Sequence, residues 1–416
     1  MTTTTTSPPP PPPRPISHYH HLSRWQERAL LGVLSAVQFA HIVDFVLIMP
    51  LGPQLMRLFD ITPVQFGVVV SSYSFTAAIF GFINAFFVDR LNRKTVLIVY
   101  FGLFALATLA CGLAPSYTML LIARAAAGAF GGSLNAVVHS IVGDVFPPER
   151  RGTATGAVTS AFALASVIGV PIGIVMAANG HWQYPFLALA ALCIPVWILA
   201  YRVVPDISGH VSEDRASPVK NVIEMLSVRS HQISFLFGMI LVLAGFTVIP
   251  YISPYQVRNV GISERDLAYL YVVGGAATFF TSRWFGRLSD RYGKRRMFIT
   301  IALLSLAPIL ITTHFPRASV FLVIPFSTLF FVLVSGRFVP AMAMMNGSAV
   351  PQLRGSFLSV SASLQAVAMG LATIVGSTFL STAPDGQLVG YGSVGWFAAA
   401  LTLIAIWMSR YLKAVS

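Results

Sequence analysis

Apolar stretches of about 20 residues, the length of helix that crosses a hydrocarbon core about 30 Å thick, recur along the whole chain. They begin near residues 30, 64, 95, 118, 153, 184, 233, 266, 297, 319, 356 and 392. The composition agrees, with 56% hydrophobic and 10% charged residues and a mean hydropathy of +0.75, where soluble domains carry roughly 25% charged residues. The expected class is an all-α membrane protein of twelve transmembrane helices, a multi-pass protein of a bacterial-type inner membrane whose bulk partner is the lipid bilayer.

One carboxylate breaks the pattern. Asp44 stands inside the run LLGVLSAVQFAHIVDFVLIMPLGPQLM, whereas the other thirteen acids fall near span ends or in loops. An ionised carboxylate at that depth costs several kcal/mol, so an acid kept there titrates, pairs or binds something.

The net charge of +13 invites a nucleic-acid reading, which the positions of the basic residues oppose. Threaded with both ends in the cytoplasm, the chain puts twenty Lys and Arg inside and only Arg57, Arg258, Arg265 and Arg317 outside, as the positive-inside rule requires. Residues 1–24, rich in Thr and Pro, cannot bury enough apolar surface to fold and read as a disordered cytoplasmic tail without the features of a signal peptide. Cys111 and Cys193 lie in apolar spans and offer neither metal spacing nor a disulfide framework.

A polar stretch at 205–231 divides six spans (25–204) from six (232–416). The halves match at a constant offset of 201 residues: Pro53 with Pro254, Ile61 with Ile262, Thr62 with Ser263, Asp89 with Asp290, Arg90 with Arg291, Arg93 with Lys294, and Lys94 with Arg295. Arg151-Gly152 matches Arg354-Gly355 after a two-residue slip. Such repeats build many secondary transporters, with a substrate site between the halves near the bilayer midplane. Opposite Asp44 the second half has Gly245, so the acid belongs to one half only.

The segment FGRLSDRYGKRR, which holds Gly286, Asp290, Arg291, Gly293, Lys294 and Arg295, resembles the loop motif of the major facilitator superfamily. The first-half copy, AFFVDRLNRK, keeps Asp89, Arg90, Arg93 and Lys94 but has Ala85 and Asn92 where the family has glycine, at the approach of the second and eleventh spans. The resemblance implies a charge latch on the cytoplasmic side that stabilises one of two alternating conformations; plain topology-setting charges are the bland alternative. RAAAGAFGG, from Arg124, is similar to the arginine-glycine motif of proton-coupled members. GAVTSAFALASVIGVPIG, with Gly156, Gly169, Pro171 and Gly173, resembles the glycine-proline motif of the antiporters, in the form seen in sugar- and arabinose-efflux-like permeases, and PPERRG before it points the same way. Gly and Pro there strip side chains and a backbone donor from a helix expected to pack and bend against the other half. The resemblance covers residues 25–412 and implies a monomeric transporter without cofactors.

Span one puts Asp44 about 21 Å into the membrane from the cytoplasmic side, and span four puts Arg124 about 9 Å below the outer surface. In a core about 30 Å thick these depths nearly coincide, so the two can pair. An opposite charge favours the ionised acid and desolvation the neutral one, and a proton site needs that balance to change as the protein opens. A static pair joining spans one and four is the alternative. His41 and Gln38 lie on the same side of span one as Asp44, and a histidine there can share the proton. His139 reads as structural.

Arg337 is read as the only charge deep within the second half's spans, either facing an anionic or polar substrate or snorkelling to the inner surface. Asn135, Tyr251, Asn346 and Gln365 are further candidates for the cavity. Met342, Met344 and Met345 are adaptable lining rather than a copper site, because only Met342 and Met345 share a helix face. Without a phosphate-binding loop or nucleophile triad, neither an ATP-driven pump nor an enzyme is expected. The chain reads as a secondary transporter that exchanges a small-molecule substrate for protons, with metabolite symport as the nearest rival and a flux-less ligand sensor as the second.

Overall fold

A computed structural model describes residues 22–87, 91–206, 225–350 and 353–412. Asp89 and Arg90 lie outside them, as do the N-terminal tail through residue 21 and residues 207–224 of the expected linker. Among the described residues the chain is helical except for a small hairpin pairing Ser381–Thr382 with Leu388–Val389.

The long helices follow the apolar stretches. The first half holds Arg24–Leu47, Pro63–Phe87, Arg93–Gly112, Tyr117–Val145, the interrupted fifth helix Pro148–Leu164 plus Val170–Asn179, and Tyr184–Val203. The second half holds Arg229–Phe246, Leu267–Tyr292, Lys294–Thr313, the interrupted tenth helix Val320–Gly336 plus Phe338–Gly347, Arg354–Thr378 and Tyr391–Met408. Eleven of these, some with their continuations, are long and apolar enough to cross a membrane, where the sequence led us to expect twelve. The exception is the eighth helix, Leu267–Tyr292, whose last turns carry Arg283, Arg287, Asp290 and Arg291.

Local chemistry explains where helices start. Ser23 caps the first in a reciprocal box with Gln26, satisfying backbone donors that the first turn leaves orphaned. Asn92 opens the third by accepting from the Lys94 and Thr95 amides. It sits at φ −61, whereas its second-half counterpart Gly293 has φ +93, a conformation suited to glycine. The two loop motifs therefore solve the same turn differently, one by capping and one by backbone freedom.

We call the face on which the first helix starts the near face. At the far face the halves are sealed together. Leu47, Leu51, Leu55, Phe66 and Val69 from the first half share one core with Val248, Tyr251, Ile252 and Tyr391 from the second. Glu264 receives hydrogen bonds from Gln54 Nε2 at 2.7 Å and Arg57 Nη1 at 2.8 Å. The elements after the first and seventh helices, which the repeat relates, meet here, Gly52 lying against Pro254.

The second and eleventh helices make the most extensive contact between halves. Small residues allow it: a Cβ on Gly67 would stand 3.1 Å from Ser377 Cβ, and one on Gly370 would stand 2.9 Å from the Phe75 ring. With no hydrophobic drive between helices inside lipid, such close approach supplies the attraction. These contacts lie away from the first-half motif with its missing glycines, towards the far face and the middle of the two helices.

Candidate functional site

Asp44 and Arg124, which the depth argument allowed to pair, do meet. Arg124 Nη1 donates to Asp44 Oδ2 at 2.8 Å and to the Asp44 backbone carbonyl at 3.2 Å, and Thr108 donates to Oδ1 at 3.2 Å. Both side chains are fully buried. The first, third and fourth helices thereby converge on one carboxylate. Breaking such a pair on one side is costly because the partner stays buried and uncompensated.

Beneath the guanidinium lies Tyr73 of the second helix, its ring centroid 4.6 Å from Arg124 Cζ, within cation–π range. The Tyr73 hydroxyl is 2.8 Å from His41 Nδ1, and His41 lines a cavity of about 300 Å³. One chain of contacts therefore runs from cavity to His41, Tyr73, Arg124 and Asp44. Tyr73 was not legible as a site residue. The signal was nevertheless present in the glycines of RAAAGAFGG, since a Cβ on Gly131 would collide with the Tyr73 hydroxyl and one on Gly128 would stand 2.6 Å from Tyr73 Cα. That motif is small because the second helix must lie against it.

The cavity is lined by Gln38, His41, Ile42, Phe45, Asn135, His139, Thr159 and Phe162. These come from the first, fourth and fifth helices, on the near side of the seal. Gln38 Nε2 donates to Asn135 Oδ1 at 2.7 Å, so two of the expected cavity residues are together. His139, which the sequence reading set aside as structural, lines it too.

The other candidates are elsewhere. Tyr251 belongs to the far-face seal and donates to the Thr373 carbonyl at 2.8 Å. Gln365 bonds Ser361 at 2.9 Å, one turn back on its own helix, and Asn346 is half-buried in Phe338–Gly347. Arg337 neither snorkels nor lines the cavity. It is fully buried at the break of the tenth helix, donating to Thr402 Oγ1 at 2.8 Å and lying 3.4 Å from Ser305 Oγ. No carboxylate pairs with it among the described residues. A Cβ on Gly245, the position matching Asp44, would stand 3.7 Å from its Nη2. Each half therefore buries an arginine beside the same repeat position, and only the first supplies the acid.

Gly169 and Gly173 face the first helix of their own half rather than the other half. A Cβ on Gly169 would collide with Val43, and one on Gly173 would stand 2.5 Å from Leu47 Cδ1, whereas Gly156 has nothing within 4 Å. Ala165–Gly169 form a π turn that ends just before Val170 and Pro171, so the regular helical hydrogen bonding is interrupted at this point. The contact with the other half is made next to it, where Gly275 of the eighth helix lies against the Ser166 backbone.

Of the loop motifs, Arg93 is buried and paired with Asp144 at 3.1 Å, and Lys94 lies 5.3 Å over the Tyr201 ring. Asp290, Arg291, Gly293, Lys294 and Arg295 are exposed, and Asp290 has no ion-pair partner among the described residues. A Cβ on Gly286 would only graze Val339 at 4.0 Å.

The sequence profile of the Major Facilitator Superfamily matches residues 34–242 and again 234–415, once per half. The chain belongs to this superfamily. As a member of the major facilitator superfamily it is a multi-pass membrane transporter and not an enzyme. An uncharacterized MFS-type transporter, YceJ of Bacillus subtilis (strain 168), is 26% identical over 370 residues, covering 88% of this chain and 93% of its own. The fold is similar to that of the D-xylose-proton symporter, with a TM-score of 0.78, 16% identity and coverage of 94% and 99% of the two chains. It is also similar to a bacterial homologue of the human lysosomal transporter Spinster in its inward-facing, occupied conformation, with a TM-score of 0.75, 16% identity and coverage of 94% and 97%.

Proposed function

We propose that this transporter exports a small organic solute in exchange for protons across a bacterial-type inner membrane, as a monomer whose two halves rock to open the substrate path to each side in turn. The observation that carries the reading is the buried Asp44–Arg124 pair, joined to the cavity through Tyr73 and His41. An acid held away from water by one cation responds strongly to any motion that changes that cation's distance. The excess of Lys and Arg near the ends of the chain and the even-numbered loops supports a cytoplasmic near face. In that orientation a sealed far face and a near-side cavity correspond to an inward-facing state ready to load substrate from the cytoplasm, and the likeness to the inward-facing Spinster homologue supports this. The packing of Gly169 and Gly173 against the helix of Asp44 supports the antiporter reading, because movement of the fifth helix acts directly on the proton-carrying one.

Symport of a metabolite is the second reading, favoured by the likeness to the D-xylose-proton symporter. Reconstituted vesicles decide between the two. An imposed proton gradient drives solute against the direction of proton flow in exchange and along it in symport, and flux indifferent to the gradient sinks both.

Two variants test parts of the mechanism. Tyr73→Phe keeps the ring under Arg124 and removes the bond to His41; it is expected to change stability by only about 1 kcal/mol while lowering gradient-driven flux markedly more than downhill exchange. Equal loss of both fluxes would assign Tyr73 to packing alone. Asp290→Asn is expected to leave thermal stability of this state unchanged, since Asp290 is exposed and has no ion-pair partner among the described residues, and to slow turnover by weakening the state closed at the near face. Cross-linking across that face reads the shift, and normal turnover would reduce the motif to topology-setting charge.

A further inference from the structure

The cavity's lining carries no Asp, Glu, Lys or Arg. The fixed charges nearby are engaged elsewhere: Asp44 and Arg124 with each other and out of solvent, Arg337 with Thr402 and Ser305. A charged solute entering here would exchange its hydration for a site without an opposite charge, which disfavours it strongly.

The polar groups that do line the site are oriented. Gln38 is 4% exposed, and because its Nε2 donates to Asn135, its Oε1 remains as a buried acceptor without a partner. His139 Nδ1 lies 2.8 Å from the Asn135 backbone carbonyl. A carbonyl only accepts, so Nδ1 carries the proton and, in the neutral ring, Nε2 is an acceptor. Gln38 and His139 both line the cavity, so its unpartnered polar groups are acceptors and favour donors in the solute. Phe45 and Phe162 present apolar rings in the same cavity, which suit an apolar or aromatic face.

The geometry points to an uncharged solute that carries hydroxyl or amide donors together with an apolar face, sized for about 300 Å³. This deepens the proposed function and rests on the cavity being the transport site. It does not depend on proton coupling.

Binding to the purified full-length protein at neutral pH tests it with three probes of related size: 4-nitrophenyl β-glucoside, neutral and rich in donors; 4-nitrophenyl phosphate, an anion; and benzyltrimethylammonium, a cation. The glucoside is expected to bind at least roughly ten-fold more tightly than either ion. Gln38→Leu, which removes the acceptor, should weaken the glucoside by roughly ten-fold. Gln38→Glu, which introduces a negative charge, should turn the preference toward benzyltrimethylammonium, and this keeps the test valid if the leucine variant fails to fold. No binding of the glucoside, equal binding of an ion to the wild type, or unchanged selectivity in Gln38→Glu overturns the inference. Because binding is read at equilibrium without a gradient, a glucoside that binds but does not move with protons counts against the coupling alone.

Discussion

Replacing Asp44 by Asn is expected to abolish accumulation driven by a proton gradient while leaving exchange of solute down its own gradient. The amide keeps an oxygen that can accept from Arg124 Nη1 or Thr108, so the helices stay in register, but nothing at that point can take and release a proton. Arg124 is then a buried cation without its acid, and removing one member of a buried pair costs about 3–5 kcal/mol; the retained acceptor places this variant at the low end. The fall in thermal unfolding temperature and the loss of coupling are separable through Arg124→Gln made in the Asp44→Asn background. Removing the orphaned cation should recover stability and should not recover coupling. Gradient-driven accumulation by Asp44→Asn at the wild-type level would sink the assignment, and simultaneous recovery of stability and coupling in the double variant would reduce the pair to a structural tie.

Gly128→Val is the substitution expected to damage the fold most. A Cβ there would stand 2.6 Å from Tyr73 Cα and 2.5 Å from Thr76 Oγ1, and a backbone cannot move aside as a flexible side chain can. Overpacking usually costs about 1–3 kcal/mol, and a clash with backbone across the extensive second–fourth helix contact belongs at the top of that range or beyond. The variant should elute as aggregate, or unfold at much lower temperature. Gly156→Val is the control: with nothing within 4 Å of its Cβ, it should be near wild type, since valine is if anything a better helix former than glycine. Similar behaviour of the two variants would show that the fourth helix does not approach the second as closely as described.

The membrane class was legible from the apolar run lengths, and residue counts alone showed that Asp44 and Arg124 can share a depth but not that they pair. Depth in a bilayer is almost linear in sequence for a spanning helix, so two charges at one depth can be matched before the fold is known. The eighth helix shows the limit of counting. Leu267–Tyr292 is long enough to span, but its charged last turns blur where a membrane segment ends. Tyr73 and His139 were missed for another reason. Tyr73 matters because its ring lies under a cation from the fourth helix and its hydroxyl meets a histidine from the first, and no local pattern around residue 73 records either neighbour. Arg337 was singled out correctly as deep and misread as a cavity residue, because sequence yields its depth and not the direction in which its helix is turned.

That difference divides the protein. In lipid each backbone donor and acceptor must be satisfied within its own helix, so where the chain spans, which residues lie at which depth, and that one half carries the buried acid follow from the sequence alone. The rotation of each helix about its axis and the contacts between distant helices arise from close packing of small against large residues. Tertiary structure alone therefore decided that Gly169 and Gly173 press on the helix of Asp44. It alone decided that the far face is sealed, and that the cavity is lined by polar and apolar side chains without a charge.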